Sequence, residues 1–409
     1  MAKVKILNKN KNKIKIRNKR VKIKVKVKIA STAIRRKGGK KIPKIKKKKL
    51  KLRKINKKIT FVVRNKEVKL ERSLRNPIIS PRLYEWESKA TFNPTAFVSN
   101  GKVHLIYRAI GNDDVSVLGY ASSYDGYHIE ERLSHFIYKR FNENFKEGKP
   151  LIYSSGGGWN GGCEDPRVTL IGDTVYMLYT AFDGWHSVRI ALTSIKLSDF
   201  KNKKWNWEKS VLISPPGEIH KNWVLFPEKI FGPTSGRKGK FAILHSFYPE
   251  ILIEYFDSLD DFDGNKFIKS NNTRPVDKKR VWDSWFRGVG PSPIKIKEGW
   301  LILYHAMDHK NTDKYRLGAL ILDLKNPQKV LYRSNGPILE PEEHYENNGH
   351  KGGVVYSCGA IVKENRLFVY YGGADTVVCV ASIKIEELVK DLKQHKAIKL
   401  KKNKLIKFK

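Results

Sequence analysis

From about residue 90 onward, apolar and polar positions alternate in short runs that are separated by turns rich in Gly, Asn and Asp. Alternation with a period of two is typical of β-strands with one buried face, and these residue types mark the turns between strands. The run IKIEELVKDLKQH at 383–395 departs from this pattern and favours a helix. The pattern therefore predicts an all-β chain that ends in a short C-terminal helix.

A repeated ending, two apolar residues followed by Tyr or His, divides these strands into units. It occurs at Tyr107, Tyr179, His245, Tyr304 and Tyr370. Successive endings lie 72, 66, 59 and 66 residues apart. A recurrence at this spacing is typical of propeller blades.

Each repeated ending is preceded by a second β-run that opens with a polar or Pro-containing tetrapeptide, and is followed by another hairpin. The openings are residues 93–96, 164–167, 226–229, 290–293 and 357–360. Four strands in each of five units predict a five-bladed β-propeller, whose innermost strands converge on a central channel. A pair of β-sandwiches would also contain short alternating strands, but the five-fold recurrence favours the propeller.

The net charge of +42 is concentrated at the N-terminus. Residues 1–60 contain 28 Lys and Arg and no Asp or Glu, which leaves +14 for the rest of the chain. We expect residues 1–58 to be a disordered, Lys-rich arm and residues 59–409 to be the catalytic propeller domain. Such an arm could contact polyanions, RNA or anionic lipid, without sequence preference.

The sequence contains neither a secretory signal nor a membrane span, because no apolar run is long enough for either. Its three cysteines are too few and too scattered for a disulfide framework or a zinc site. The run GGGWNGG lacks the strand-to-helix context of a phosphate loop. We therefore predict a cytoplasmic protein without a metal or nucleotide cofactor.

The second opening, Glu164-Asp165-Pro166-Arg167, places two carboxylates and a guanidinium beside a flexible glycine stretch. Glycosyl transfer needs a carboxylic acid that protonates the departing oxygen, and an inverting reaction also needs a nucleophile on the opposite face of the sugar. On composition alone either acid could serve, but an ion pair with Arg167 that caps a turn is the better explanation of the segment taken by itself.

Other polar residues occupy matching points of the repeat and could hold an anion such as phosphate. They are Arg108, Arg189, Arg287, His305 and Lys351. Sugars pack their apolar faces on aromatic rings. The candidates for such a subsite are Trp159, Trp223 and Trp285, whereas Trp300 lies in a plain strand and is expected in the core.

The run GGCEDPRVTLIGDTVYMLYTAFDG, together with NPTAFVSNGKVHLIYRA, KNWVLFPEKI and GWLILYHAMD, resembles glycoside hydrolase family 130, the β-mannoside phosphorylases and related mannosidases. The resemblance covers roughly residues 70 to 395. It implies a five-bladed propeller in which Asp165 is the general acid and acts through the 3-hydroxyl of the mannosyl unit. Inorganic phosphate would be the co-substrate, attacking the anomeric carbon with inversion to give α-mannose 1-phosphate.

Binding roles are expected as well, and for Arg108, Arg189, Tyr304 and His305 the resemblance implies them. The residues expected to bind phosphate are Arg108, Arg189, Arg287, Tyr304 and His305. Those expected to bind substrate are Glu164, Asn93, Arg167, Trp223, Lys229, Asp308 and Asp375.

One departure from the family pattern concerns the nucleophile. The third unit reads His245-Ser246-Phe247 where phosphorylases of the family usually have His-Arg-Pro, so an Arg that could pair with phosphate is missing. Arg287 could compensate for it. Alternatively, water replaces phosphate, and the general base would be Glu228, Glu250 or Asp308.

We therefore expect an inverting phosphorylase of β-1,4-mannosides. An inverting β-mannoside hydrolase, a propeller glycosidase acting on arabinosides or xylosides, and a non-catalytic carbohydrate- or RNA-associated propeller are the alternatives. The sequence leaves the acceptor sugar and homo-oligomerisation open.

Overall fold

The computed structural model describes residues 68–140, 160–183, 187–232, 238–270 and 276–395. The predicted arm at 1–58 and Trp159 lie outside the described residues. Strands dominate the described chain, which confirms the all-β prediction. The predicted C-terminal helix is present at Ile385–Gln394.

The first strand is β1 (Glu71–Arg72), and the strands after it form consecutive antiparallel groups. Group 1 contains β2 (Ala90–Ser99), β3 (Lys102–Ile110), β4 (Ser116–Ser123) and β5 (Glu131–Arg132). Group 2 contains β6 (Gly162–Ile171), β7 (Thr174–Phe182), β8 (Val188–Lys196) and β9 (Val211–Leu212), and the helix α1 (Leu197–Lys201) follows β8.

The remaining three groups repeat this meander. Group 3 contains β10 (Val224–Leu225), β11 (Phe241–Ser246) and β12 (Leu252–Phe256). Group 4 contains β13 (Trp285–Val289), β14 (Ile294–Ile296), β15 (Gly299–Asp308), β16 (Asn311–Leu322) and β17 (Val330–Arg333), followed by the helix α2 (His344–Asn347). Group 5 contains β18 (Val355–Lys363), β19 (Arg366–Gly373) and β20 (Val377–Lys384), and the helix α3 (Ile385–Gln394) follows it.

The repeated apolar endings lie on the corresponding strands β3, β7, β11, β15 and β19, each the central strand of its group. The tetrapeptide openings lie within or directly after the first strand of each group. The sequence repeat therefore corresponds to a structural repeat of antiparallel meanders.

Large apolar clusters of the described residues join the groups in order. One cluster lies between groups 1 and 2, and further clusters lie between groups 2 and 3, 3 and 4, and 4 and 5. A fifth joins group 5 to group 1, where Val103 and Leu105 pack with Phe368 and Val378. The strand β1 from the start of the described chain pairs with β20 and completes the sheet of group 5.

Register shifts interrupt the first strand of four groups, between Phe92 and Thr95, Glu164 and Arg167, Phe286 and Gly288, and Ser357 and Gly359. Two of the residues within these bulges, Asn93 and Asp165, have positive φ values of 47° and 50°. A bulge bends the strand and changes the direction of a side chain. The polar side chains at these positions therefore depart from the regular alternation of the two strand faces. They are the positions from which the candidate site is built.

A buried carboxylate stabilises the outer part of group 1. Glu87 accepts hydrogen bonds from Tyr107 (2.9 Å) and Arg132 (2.7 Å) and pairs with Arg82 (2.5 Å). Trp86 stacks on the Tyr107 ring and donates its indole N–H to the carbonyl of Ser134. A fully buried charge is retained because several donors surround it.

Group 4 repeats this cluster almost residue for residue. The equivalents are Asp283, Tyr304, Arg333, Arg280 and Trp282. In group 5, Glu346 accepts hydrogen bonds from Tyr371 (2.7 Å) and from Arg72 of β1 (2.8 Å). Two of the repeated Tyr endings, Tyr107 and Tyr304, thus anchor buried carboxylates as well as filling the core. In group 5 the residue after the ending, Tyr371, has this role.

Candidate active site

The candidate site centres on two neighbouring carboxylates of β6, Glu164 and Asp165, which are 0% and 3% exposed. Arg108 of β3 lies between them, 2.9 Å from Glu164 Oε1 and 3.3 Å from Asp165 Oδ1. Its Nε donates to Ser116 Oγ and its guanidinium lies over the Phe92 ring. Burial lowers the pKa of Arg108, but the two carboxylates outweigh burial and hold this pKa above its usual value.

Two further residues donate hydrogen bonds to the carboxylate pair. Asn93 donates from Nδ2 to Asp165 Oδ1 at 2.8 Å, and Lys221 donates from Nζ to Glu164 Oε2 at 3.1 Å. Asn93 Oδ1 is buried and has no hydrogen-bond partner among the described residues. A buried acceptor without a donor points to a ligand that supplies one.

Arg167 lies on β6 two residues after Asp165, and protein acceptors surround its guanidinium. It donates to the backbone carbonyls of Asp165 (2.8 Å) and Gly290 (2.9 Å) and to Asn222 Oδ1 (2.8 Å). The structure thus places the predicted substrate residue Arg167 as a support for the Asp165 backbone.

Asp375 brings a third carboxylate to this site from the turn between β19 and β20. Burial raises its pKa to about 6, with Asp165 acting in the same direction, whereas the nearby cations Lys351, Arg108 and Lys221 lower it. Asp375 is only 7% exposed and has a positive φ of 50°. The site therefore combines three buried acidic groups, Glu164, Asp165 and Asp375, with the four nearby cations named above.

His305 and Arg287 lie on group 4 next to this centre. His305 Nε2 accepts a hydrogen bond from the Ser357 N–H at 3.0 Å, and its ring stacks on Tyr356 at 4.1 Å between centroids. Burial lowers the pKa of His305 well below its usual value, and Arg167 and Arg287 act in the same direction, so the imidazole is neutral. His305 Nδ1 and Arg287 Nε are buried without partners in the described part of the chain.

A small pocket with a cavity volume of about 60 Å³ lies beside Lys221, the residue that donates to Glu164. It is lined by Lys221, Trp223, His245, Ser246 and Arg287, among others. A cavity of this size has room for a few waters or one small anion. Ser246, where the family pattern has Arg, and Arg287 thus line the same space.

Lys221 and Asn222 were not identified from the sequence. They lie in a short polar run, Ile219-His220-Lys221-Asn222, directly before β10, which sequence patterns interpret as a turn. Their position directly before the first strand of a group was the signal that could have identified them.

Other predicted site residues lie outside the carboxylate centre. Arg189 donates to the Ser214 carbonyl, and Tyr304 donates to Asp283 in the buried cluster of group 4. Lys229 is exposed over the Phe241 ring, and Asp308 accepts from the Lys310 N–H in a turn. Trp223 and Trp285 do border the centre: Trp223 lines the pocket, and Trp285 supports the Arg287 guanidinium at 4.3 Å.

The proposed general bases of the hydrolase alternative lie on the surface or in a turn. Glu228 pairs with Lys295 at 2.5 Å, and Glu250 is exposed. Asp308 is 3.7 Å from His309 in the turn described above. The described hydrogen bonds of Asp165 and Glu164 lead instead to Asn93, Arg108 and Lys221.

The described residues contain no group of three or more His, Cys, Asp or Glu side chains that could hold a metal ion. Within the same ranges, no helix combines the length and apolar character needed to cross a bilayer.

The model of the family Glyco_hydro_130, described as beta-1,4-mannooligosaccharide phosphorylase, matches residues 46–394. The chain belongs to glycoside hydrolase family 130. It is therefore a glycoside-processing enzyme of that family, whose phosphorylases use inorganic phosphate as co-substrate.

Curated relatives of the chain are phosphorylases. A 1,2-beta-oligomannan phosphorylase from Thermoanaerobacter sp. (strain X514) is 38% identical, over 78% of this chain and 99% of the relative. A beta-1,2-mannobiose phosphorylase from the same organism is 37% identical, with the same two coverages. The solved structure of beta-1,2-mannobiose phosphorylase from Listeria innocua, in complex with beta-1,2-mannobiose, is 28% identical with a TM-score of 0.60, over 80% of this chain and 99% of that one.

Proposed function

We propose that the protein is an inverting phosphorylase of β-mannosides, with Asp165 as the general acid and inorganic phosphate as the nucleophile. The observation that carries this proposal is the shared pocket of Arg287 and Ser246, which also contains Lys221 beside Glu164. Arg287 can thereby supply the cation that Ser246 does not. Charge-assisted hydrogen bonds to phosphate are among the strongest a protein side chain makes.

In this reaction the glycosidic C–O bond breaks as a phosphate oxygen bonds to the anomeric carbon from the opposite face. Asp165 provides the proton that the departing sugar oxygen receives, relayed through the mannosyl 3-hydroxyl as the family resemblance implies. The products are α-mannose 1-phosphate and a mannoside shortened by one unit. The described chain needs no general base of its own, because phosphate is itself the nucleophile.

The contacts suggest a division of roles among the candidate residues. Arg108 holds the two carboxylates, since its guanidinium bonds lead to Glu164, Asp165 and Ser116. Asn93 and Asp375 would accept or donate hydrogen bonds to the mannosyl hydroxyls. Candidate phosphate donors are Lys221, His245, Arg287 and His305.

We further propose β-1,2-linked mannosides as the substrates. The expected β-1,4 linkage agrees with the description of the family model, but both curated relatives reported above are named for β-1,2 linkages. Comparing kcat/KM for β-1,2-mannobiose and β-1,4-mannobiose tests this choice. A preference for the β-1,4 disaccharide would reverse it.

The proposed architecture is a five-bladed propeller with one group of strands per blade. This proposal is supported by the large apolar clusters, each of which joins two consecutive groups of strands. The cluster between group 5 and group 1 completes the circle. In this arrangement the first strands of the groups surround the channel, and their bulges present Asn93 and Asp165 to it.

Asp165→Asn is the test of the proposed acid. The amide preserves the shape and the Asn93 neighbourhood but cannot donate the catalytic proton, so kcat should fall by roughly 100- to 10,000-fold. Release of mannose 1-phosphate measures the rate, and circular dichroism measures folding. Asp257→Asn, at an exposed ion pair with Lys240, is the matched control and should remain active. Retained activity in Asp165→Asn would refute the assignment.

A further inference from the structure

A buried asparagine connects two parts of the site that the proposed reaction must hold at a fixed separation. Asn222 Oδ1 accepts hydrogen bonds from Arg167 Nη2 (2.8 Å) and from the Tyr356 hydroxyl (2.5 Å). Its Nδ2 donates to the backbone carbonyl of Arg287 at 2.7 Å. Each polar atom of this side chain is therefore used, and the amide has a single orientation that satisfies all partners.

One end of this connection is the general acid. Arg167 Nη1 donates to the backbone carbonyl of Asp165 at 2.8 Å, and its Nε donates to Gly290 at 2.9 Å. A guanidinium is planar and rigid, so the bond to Asn222 and the bond to Asp165 are fixed relative to each other.

The other end is the bulge of β13 that carries Arg287. Gly288 in this bulge has a φ of 121°, and a Cβ atom there would lie 2.6 Å from Asn222 Nδ2. Glycine thus allows the Asn222 amide to approach the backbone of β13. The Arg287 guanidinium itself lies 4.3 Å from the Trp285 ring centroid, and Arg287 is one of the residues that line the pocket.

Tyr356 holds the amide from a third direction. Its ring is stacked on His305 with an angle of 9° between the planes, and the His305 ring is fixed by the Ser357 N–H. Two stacked, buried rings leave the Tyr356 hydroxyl little freedom, so its short bond to Asn222 is preorganised.

We propose that Asn222 is a positioning residue that sets the distance between the general acid Asp165 and the phosphate-binding residue Arg287, and that Tyr356 holds the Asn222 amide in place. The proposal rests on the phosphorylase function proposed above. Inverting transfer requires the acid and the nucleophile on opposite faces of one sugar ring. A misplacement of about 1 Å can reduce such a rate by roughly 100-fold.

Asn222→Asp separates the two ends of the connection. The carboxylate keeps an acceptor for Arg167 and Tyr356, but an oxygen replaces the donor that faces the Arg287 carbonyl. The backbone of Arg287 should shift while Asp165 stays in place. We expect KM for phosphate to rise by about tenfold or more and kcat to fall, with KM for the mannoside changed by less than about threefold.

Tyr356→Phe provides a second variant, which keeps the ring stack and removes only the hydroxyl. Because both ends then loosen, kcat should fall and KM for phosphate should rise, each by about threefold or more. The matched control is Tyr370→Phe, which removes a buried phenolic hydrogen bond to the Gly126 carbonyl in group 5. It should lower Tm and leave both kinetic constants unchanged.

Measuring both KM for phosphate and Tm distinguishes a positioning role of Asn222 and Tyr356 from a purely structural one. If Asn222→Asp and Tyr356→Phe lower Tm as Tyr370→Phe does but keep the wild-type KM for phosphate, the proposal is overturned. Tyr356→Phe alone decides the question if Asn222→Asp does not fold.

A failure of the proposed function would look different, because the wild-type enzyme itself would release no mannose 1-phosphate from any β-mannoside. In that case, calorimetric titration with inorganic phosphate tests the inference. Weaker binding by Asn222→Asp than by wild type supports it. Equal affinity, or no binding by either protein, overturns it.

Discussion

At the scale of one residue, the buried carboxyl of Asp375 lowers the stability of the protein at neutral pH. Its carboxyl is buried beside Asp165, and burial raises its pKa to about 6. An unfolded Asp titrates near pH 4, so between about pH 4 and 6 the folded protein holds a proton that the unfolded chain has released. The associated stability is fully present below pH 4 and is lost as the pH rises through 6.

Asp375→Asn should therefore stabilise the protein at pH 8, by an amount on the order of 2 to 3 kcal/mol, and should have little effect below pH 4. Urea unfolding at pH 4, 6 and 8 measures this dependence. Asp323→Asn is a control of opposite sign, because the Asn326 and Lys325 backbone N–H groups hold the pKa of Asp323 below its usual value. A stability difference for Asp375→Asn that does not vary with pH would contradict the interpretation.

Individual site residues differed in how well the sequence identified them. Glu164 and Asp165 stood out because two acids beside Pro and Gly are unusual in an alternating strand. Lys221 and Asn222 were missed because a polar run before a strand carries no periodic signal. The role of Asn222 depends on a positive φ of 67° and on a glycine far away in sequence, Gly288, which one sequence does not reveal.

At the scale of strands, two of the repeated tyrosines, Tyr107 and Tyr304, require a glycine on the neighbouring strand. Tyr107 faces Gly119 and Tyr304 faces Gly318 across adjacent strands. A Cβ atom on Gly119 would lie 2.4 Å from the Tyr107 ring, too close for any real contact. The tyrosine must fit above this glycine in order to reach its buried carboxylate.

Gly119→Ala should displace Tyr107 from Glu87 and destabilise the protein by about 1 to 3 kcal/mol, the usual range for overpacking. Thermal or urea unfolding measures the loss. Ala191→Gly, opposite Tyr179 in group 2, is the matched control, because it removes a Cβ at the equivalent pairing and should cost only about 0.5 to 1 kcal/mol. A Gly119→Ala protein as stable as wild type would show that the ring moves freely.

The strands themselves were largely predictable, since all five repeated endings lie on central strands of their groups. Group 3 was the least regular: its first strand, Val224–Leu225, is two residues long, and its predicted opening follows that strand. Tyr304 was predicted as a phosphate ligand from its place in the repeat. In the structure its hydroxyl instead donates a hydrogen bond to Asp283, as Tyr107 at the same position of the repeat donates to Glu87.

At the scale of the whole molecule, the start of the described chain is joined to its end. Glu71 and Arg72 pair with Ser382 and Ala381, and the Arg72 guanidinium neutralises the fully buried Glu346. Removing one partner of a buried ion pair typically costs about 3 to 5 kcal/mol. This junction should therefore be essential for folding.

Two truncations test this junction. Deletion of residues 1–58 leaves β1 intact and should preserve both Tm and turnover. Deletion of residues 1–76 removes β1 and should yield a protein that is unfolded or strongly destabilised in circular dichroism. Equal stability of the two truncated proteins would show that the pairing of β1 with β20 does not stabilise the fold.

The most direct measurement of the central claim is the phosphate dependence of β-1,2-mannobiose cleavage by the full-length enzyme. Phosphorus and proton NMR identify the sugar phosphate and its anomeric configuration. We predict α-mannose 1-phosphate and free mannose in equal amounts when phosphate is present, and no cleavage when it is absent. Release of two mannoses at the same rate without phosphate would contradict the account and identify a hydrolase.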